Sequence, residues 1–327
     1  LYLESKQQLM KNKIKYLSVS TLSLLVLGFG TQVVHASIQT DTIDEKWDKP
    51  TLVYGGSLTD SQVEEVNKSF NIHDVANVKR QVVSEKDYGK YMNESDVSGV
   101  SLISSTLVAK QDKGKGITVK IVTPENITRV TEVQYRNAAI TAGATDLAIE
   151  VSAPVKVTGE SALVGVSKAL EANGQEIDAK RTEIANQEVS TTAQIAEANK
   201  DAKGFDSQLL DNALIQIKTE LAKEKQNKGQ VADDKKVEQI VKKALKDNKL
   251  DGIISDDQVS QLVQFAKGYQ QTSAVDSKEV LNQLGDLKDN IAEGVSKFLK
   301  SAEEHGVFEK AGNFVKSLWD SIVGFFK

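Results

Sequence analysis

The chain of 327 residues contains no cysteine. That excludes disulfides, thiolate metal sites, a cysteine nucleophile and a lipid-modified N-terminal cysteine. Proline is almost as scarce: Pro50, Pro124 and Pro154 are the only three, so nothing beyond residue 154 interrupts helical periodicity. Of three histidines, only His73 and His305 lie beyond residue 36. Neither belongs to an H-E-x-x-H or other paired spacing, which speaks against a zinc hydrolase. Aromatic residues make up 6% and do not alternate with basic ones. With no long basic run either, nucleic acid is not an expected partner. No cofactor is expected.

What is present first is an export signal. From Met10 the chain reads "MKNKIKYLSVSTLSLLVLGFGTQVVHAS". Lys11, Lys13 and Lys15 form a positive start, Leu17 to Phe29 an apolar core, and Val34-His35-Ala36 a cleavage site. The apolar run falls short of the about 20 residues a membrane span needs. Residues 1–36 therefore read as a signal peptide, residues 1–9 as lying upstream of the true start, and Ser37 as the mature N-terminus. Loss of that segment, with its four lysines and one glutamate, takes the formal charge from −5 to −8. A net negative charge mainly serves solubility. The expected location is secreted or extracellular, with association to the cell envelope.

Apolar residues make up 39%, enough for extensive cores. Residues 37–50 read as a linker, and residues 51–172 as a mixed α/β domain. Strands are expected at "TLVY", "VANVKRQVV", "VSLISSTLVAK", "GITVKIVT" and "TDLAIEVSA". Helices are expected after the capping boxes Thr59–Gln62 and Thr131–Gln134, around "EKDYGKYM" and over residues 160–172. The glycines of "QDKGKG" predict a hairpin between the third and fourth strands. The fold class is α+β, a mixed sheet covered by helices and followed by an all-helical C-terminal region.

Residues 173–272 form the helical region. Leu209, Leu210, Ala213, Leu214, Ile217 and Leu221 make one stripe, and Val237, Ile240, Val241, Ala244 and Leu245 another. Ser255–Gln258 is a capping box before a third helix. Residues 273–327 read as C-terminal amphipathic helices, with Leu281, Leu284, Leu287, Ile291, Val295 and Phe298 at helical spacing. No internal repeat or low-complexity tract is evident.

The stretch closest to catalytic machinery is "VSAPVKVTGESALVGVSKALEANG", residues 151–174. A phosphate loop requires G-x-x-x-x-G-K-[ST]. Here Gly159 and Gly165 are followed by Val166, and Lys168 comes too late. A nucleophile elbow requires G-x-S-x-G, and Leu163 stands where its second glycine belongs. The plainer reading has Pro154 ending a strand, Gly159 relieving a turn, and Ala162, Leu163 and Val166 docking a helix. "DNKLDGIISDDQ", Asp247–Gln258, imitates an EF-hand loop. Lys249 in the third ligand position and Gln258 in place of the bidentate glutamate predict no Ca²⁺ site. The pairs Glu64-Glu65, Asp233-Asp234 and Glu303-Glu304 read as solvated helix faces. Sequence alone leaves open whether two such carboxylates form a hydrolytic pair.

The segment "TAGATDLAIEVSAPVKVTGESALVGVSKALE" closely resembles the central motif of the YpuA-like family of secreted Gram-positive proteins, a domain of unknown function. Ala142, Gly143, Ala153, Pro154, Val155, Gly159, Ala162, Leu163, Gly165, Lys168 and Ala169 fall on that pattern. Ser104-Ser105, Gly116 and Tyr135-Arg136-Asn137-Ala138 do so as well. The resemblance covers roughly residues 51–270 and departs from about 273 onward. It implies an exported protein with no catalytic residue to carry over. The motif positions Gly143, Pro154, Gly159, Ala162, Leu163, Gly165 and Lys168 are expected to be structural.

The remaining functional lead is the C-terminal stretch. Phe308, Ala311, Val315, Leu318, Trp319, Ile322, Phe325 and Phe326 share one broad face, with Lys310, Lys316 and Lys327 outnumbering Glu309 and Asp320. Such a face lies in a membrane interface, contacts a partner, or packs on the stripe at 281–298. The whole reads as an exported protein of the envelope or medium that binds or interacts rather than catalyses, its ligand and oligomeric state open. The rivals are a cell-wall or polysaccharide hydrolase with paired carboxylates and a secreted membrane-active factor working through the tail.

Overall fold

In a computed structural model, which describes residues 47–304, five strands and nine α-helices are found among the described residues. The strands are β1 (Thr51–Gly55), β2 (Lys79–Val83), β3 (Ser105–Lys110), β4 (Ile117–Ile121) and β5 (Leu147–Ser152). The helices are α1 (Asp60–Ser69), α2 (Glu85–Met92), α3 (Glu132–Ala142), α4 (Ala162–Ala172), α5 (Ala179–Asn199), α6 (Ser207–Lys228), α7 (Asp234–Asp247), α8 (Asp256–Gln270) and α9 (Lys278–Glu304). The α+β class with a helical C-terminal part is thus present. The capping boxes at Thr59, Thr131 and Ser255 open α1, α3 and α8. In each, the side-chain oxygen accepts from the third helical N–H, satisfying a donor that the helix leaves orphaned.

The sheet runs β2-β1-β3-β5-β4, with β1∥β2 and β4∥β5 and only β3 antiparallel to its neighbours. This corrects the hairpin expected at "QDKGKG". β3 and β4 do not pair, because β5 enters between them. Asp146 holds the gap open: its Oδ1 accepts from Gly114 N and Gly116 N, each at 2.9 Å. Gln111 N donates to Asp146 O at 2.7 Å and Leu147 N to Gly116 O at 3.0 Å. The glycines serve a wide loop spanning two strand spacings rather than a tight turn.

Two strands are shorter than their β-branched runs suggest. Asp74 accepts from Ala76 N and caps a 3-10 turn over Val75–Asn77, so β2 begins only at Lys79. Residues 100–104 are irregular because Leu102 bonds the loop after β1, donating to Ser57 Oγ and accepting from Ser57 N. At the described end of the segment read as a linker, Trp47 is buried and Pro50 O accepts from Lys79 N.

The sheet is covered unequally. On one face α1 alone packs Val66 and Phe70 against Leu52, Tyr54 and Leu107. On the other face α4 lies over β1, β2 and β3, and α3 over β4. A further layer, α5, α6 and α9, packs on α3, and α7 and α8 close over α6. The apolar core therefore continues from Val53 to Leu299 without a break at residue 172. Helix α3 is consequently enclosed on nearly all sides, burying even Gln134, Asn137 and Thr141.

Candidate functional site

The residues singled out around 151–174 are placed by backbone geometry. Beyond β5, residues 153–159 run beside 126–130: Asn126 Nδ2 donates to Ala153 O at 2.7 Å, and Val157 N to Asn126 O at 2.8 Å. Pro154 sits at that departure from the sheet. Gly159 follows with φ +101°, and a Cβ there would lie 2.5 Å from Tyr135 Oη and 2.7 Å from Ile127 Cγ2. Tyr135 closes the turn by donating to Gly159 O. A phosphate loop needs open space beside its glycines; here the Tyr135 hydroxyl and the Ile127 side chain crowd Gly159.

Ala162 and Leu163 are buried, as docking residues should be. A Cβ on Gly165 would approach Thr106 Oγ1 to 2.5 Å, so this glycine lets α4 approach β3 closely. Ser161 precedes α4 without capping it. Lys168 joins α4 to α2 through a 2.6 Å ion pair with Asp87. Burial alone would raise the Asp87 carboxyl, but bonds from Lys168 and Ser84 outweigh it and hold it below its usual range. Beside this pair, Lys90 and Tyr91 both bond Glu171. Burial and that carboxylate push the Tyr91 phenol up.

Gly143 ends α3 in the left-handed region at φ +97°. The Arg181 guanidinium lies against it, donating from Nε to Thr141 O at 2.8 Å and from Nη2 to Ile140 O at 3.2 Å. A cation on the last carbonyls complements the helix dipole.

The EF-hand imitation is dismantled position by position. Asp247 accepts from Lys243 and from Gln216 Nε2. Gln258 completes the capping box of α8 and also accepts from Asn199. Lys249 takes φ +57° and Gly252 +81° in a tight turn. Calorimetry on residues 37–327 is therefore expected to show no saturable Ca²⁺ binding at millimolar or tighter affinity. Saturable heat that vanishes on Asp251→Ala would overturn this.

The acidic pairs are dispersed. Glu64 and Glu65 are exposed on α1. Asp233 caps α7, and Asp234 pairs with Lys267 at 2.8 Å. Glu303-Glu304 ends α9. His73 is exposed, while His305 lies outside the described residues. So do residues 1–36, read from sequence as a signal peptide, and the tail residues Phe308, Ala311, Val315, Leu318, Trp319, Ile322, Phe325 and Phe326. Among the described residues no group of three or more His, Cys, Asp or Glu is placed to hold a metal. Among them, too, no helix is long and apolar enough to cross a membrane.

The chemically most unusual place is one that the periodicity of the sequence did not reveal. Where α3, α5, α6 and α8 meet, Lys218 is 0% exposed. Its ammonium donates to Glu188 Oε1 at 2.5 Å, Asn137 Oδ1 at 2.7 Å and Thr141 Oγ1 at 2.7 Å. The Thr141 hydroxyl in turn donates a hydrogen bond to Glu188 Oε2, also at 2.7 Å. The rings of Phe265 and Tyr269 flank the ammonium at 5.9 and 5.6 Å. Burial lowers the Lys218 ammonium below its ordinary range, against Glu188, which favours its charge. One helical turn-pair away on α6, Asp211 is also buried. Asn137 had been noticed only as part of the family pattern; Lys218, Glu188 and Asp211 carried no local signal.

Together these features define an α+β protein whose motif residues hold a layered core together. The chain belongs to the family described as "Protein of unknown function (DUF1002)", which matches residues 54–287. It is 31% identical over 281 residues to "Uncharacterized protein YpuA" of Bacillus subtilis (strain 168), covering 84% of this chain and 88% of that protein. The family match reaches into α9, beyond the limit near residue 270 expected from sequence. No solved structure matches.

Proposed function

We propose that the protein is exported and works as a non-enzymatic binding or interaction protein of the cell envelope or medium. Its C-terminal stretch would contact a membrane surface or an envelope component. The observation carrying this reading is the fate of the α9 stripe. Leu281, Leu284, Leu287, Ile291 and Val295 are buried, and α9 packs along α6 and α3. That stripe precedes the apolar tail residues Leu318, Trp319, Ile322, Phe325 and Phe326 in sequence, and it is already buried against α6 and α3. Two polar groups of the motif are likewise engaged internally, Lys168 by Asp87 and Tyr135 by Gly159.

The test compares residues 37–327 with a form lacking residues 307–327, using vesicles of mixed neutral and anionic phospholipid. The longer form should bind with a blue shift in Trp319 fluorescence, since Trp47 is already buried. The shorter form should not bind, and should melt within a few degrees of the longer one. A large fall in melting temperature without vesicle binding by either form would make the tail part of the core. Release of soluble sugar or peptide from purified cell wall would favour the hydrolase instead.

A further inference from the structure

The buried centre contains one carboxyl more than its cation serves. An ammonium has three protons, and those of Lys218 are directed to Glu188, Asn137 and Thr141. Lys218 and Glu188 thus form a neutral, hydrogen-bonded pair. Asp211, seven residues before Lys218 on α6, is 1% exposed, and its Oδ1 has no hydrogen-bond partner. An ionised carboxylate there would be a buried, uncompensated charge, which a protein avoids by keeping the group protonated.

We infer that Asp211 is a proton-operated latch: α6 seats against its neighbours with this carboxyl neutral and loosens when the proton is lost. The surrounding charges agree with that reading. α5 contributes Glu188 and, toward Lys218, Arg181; the turn before α6 contributes Asp206. α3 offers only the uncharged Asn137 and Thr141 to the centre, and α8 the Tyr269 phenol. α9, packed along α6, carries Lys288, whose charge interacts with those of Asp289 and Lys223, and Asp286, whose charge interacts with that of Arg136. α7 brings Asp247, held by Lys243 and by Gln216 of α6. Burial pushes the Asp211 carboxyl well above the usual range, Asp206 and Glu188 push it further, and Lys218 opposes them.

The sign follows from linkage. A carboxyl whose pKa is raised on folding contributes its full stability below the unfolded value of about 3.9. That contribution is lost as pH rises toward the folded value. Folding therefore takes up one proton in this window, and the latch weakens in alkali.

Urea unfolding of residues 37–327 and of Asp211→Asn between pH 5 and 9 tests this. The unfolding constant of the parent, relative to the variant, should rise with pH by up to about tenfold per unit. Amide exchange in α6 should quicken with pH more in the parent than in the variant. Equal pH slopes would overturn the proposal. If Asp211→Asn fails to fold, infrared spectroscopy of the parent decides the matter. A protonated-carboxyl band at neutral pH, where exposed carboxylates are ionised, supports the latch, and its absence refutes it.

Discussion

Replacing Lys218 by methionine is expected to destabilise the protein by about 3–5 kcal/mol, because it strands Glu188 in the interior without its cation. Glu188 is 1% exposed and would retain only the Thr141 hydroxyl on its other oxygen. Thermal melting should register a fall on the order of 10 °C for a chain of this size. The informative companion is the double variant Lys218→Met with Glu188→Leu. A buried ion pair replaced as a whole by apolar groups of similar volume is often tolerated, since two desolvation costs disappear together. The double variant should therefore recover most of the loss. If Lys218→Met melts like the parent, the pair does not hold the four helices together as described.

The second large effect is expected at Gly159. Alanine there meets two penalties: a positive φ of +101°, and a Cβ driven to 2.5 Å from Tyr135 Oη. Backbone strain of about 1–3 kcal/mol and overpacking of about 1–3 kcal/mol combine to about 2–6 kcal/mol. Two controls separate the contributions. Gly174→Ala has φ +75° and nothing within 4 Å of its Cβ, so it should lose only the strain. Ser161→Ala removes a hydroxyl that caps nothing, and its melting should change by no more than about 0.5 kcal/mol. A destabilising Ser161→Ala alongside a silent Gly159→Ala would reverse the assignment of this turn.

Local signals in the chain carried far where they were local in cause. Thr59, Thr131 and Ser255 announce their helices because a capping box is complete within four residues. The stripes of α6, α7 and α9 were legible because each of these helices turns an apolar face to its neighbours. Helix α5 shows no such stripe. Its inward residues include Thr182, Asn186, Glu188, Thr192 and Asn199, polar types that ordinarily stay exposed. Partners distant in the chain satisfy three of them: Asn186 donates to Tyr91 O, Glu188 accepts from Lys218 and Asn199 donates to Gln258, while Thr182 and Thr192 donate to backbone carbonyls three or four residues earlier.

The sequence by itself determined the α+β class, the order of most elements, the caps, and the departures of three stretches from the phosphate-loop, elbow and EF-hand patterns. Each rests on the residue types allowed within a few positions, and short-range sterics and hydrogen bonding decide it. The tertiary structure alone decided that β5 separates β3 from β4, that α3 is buried between sheet and helices, that Lys218 meets Glu188, and that Asp211 is buried on the same helix as Lys218. Strand order depends on which edge captures a returning strand, and here Asp146, thirty residues or more from the glycines it bonds, settles it. A buried charge is tolerable only when its partners arrive from other helices, so no window of sequence contains the information that makes Lys218 an interior residue.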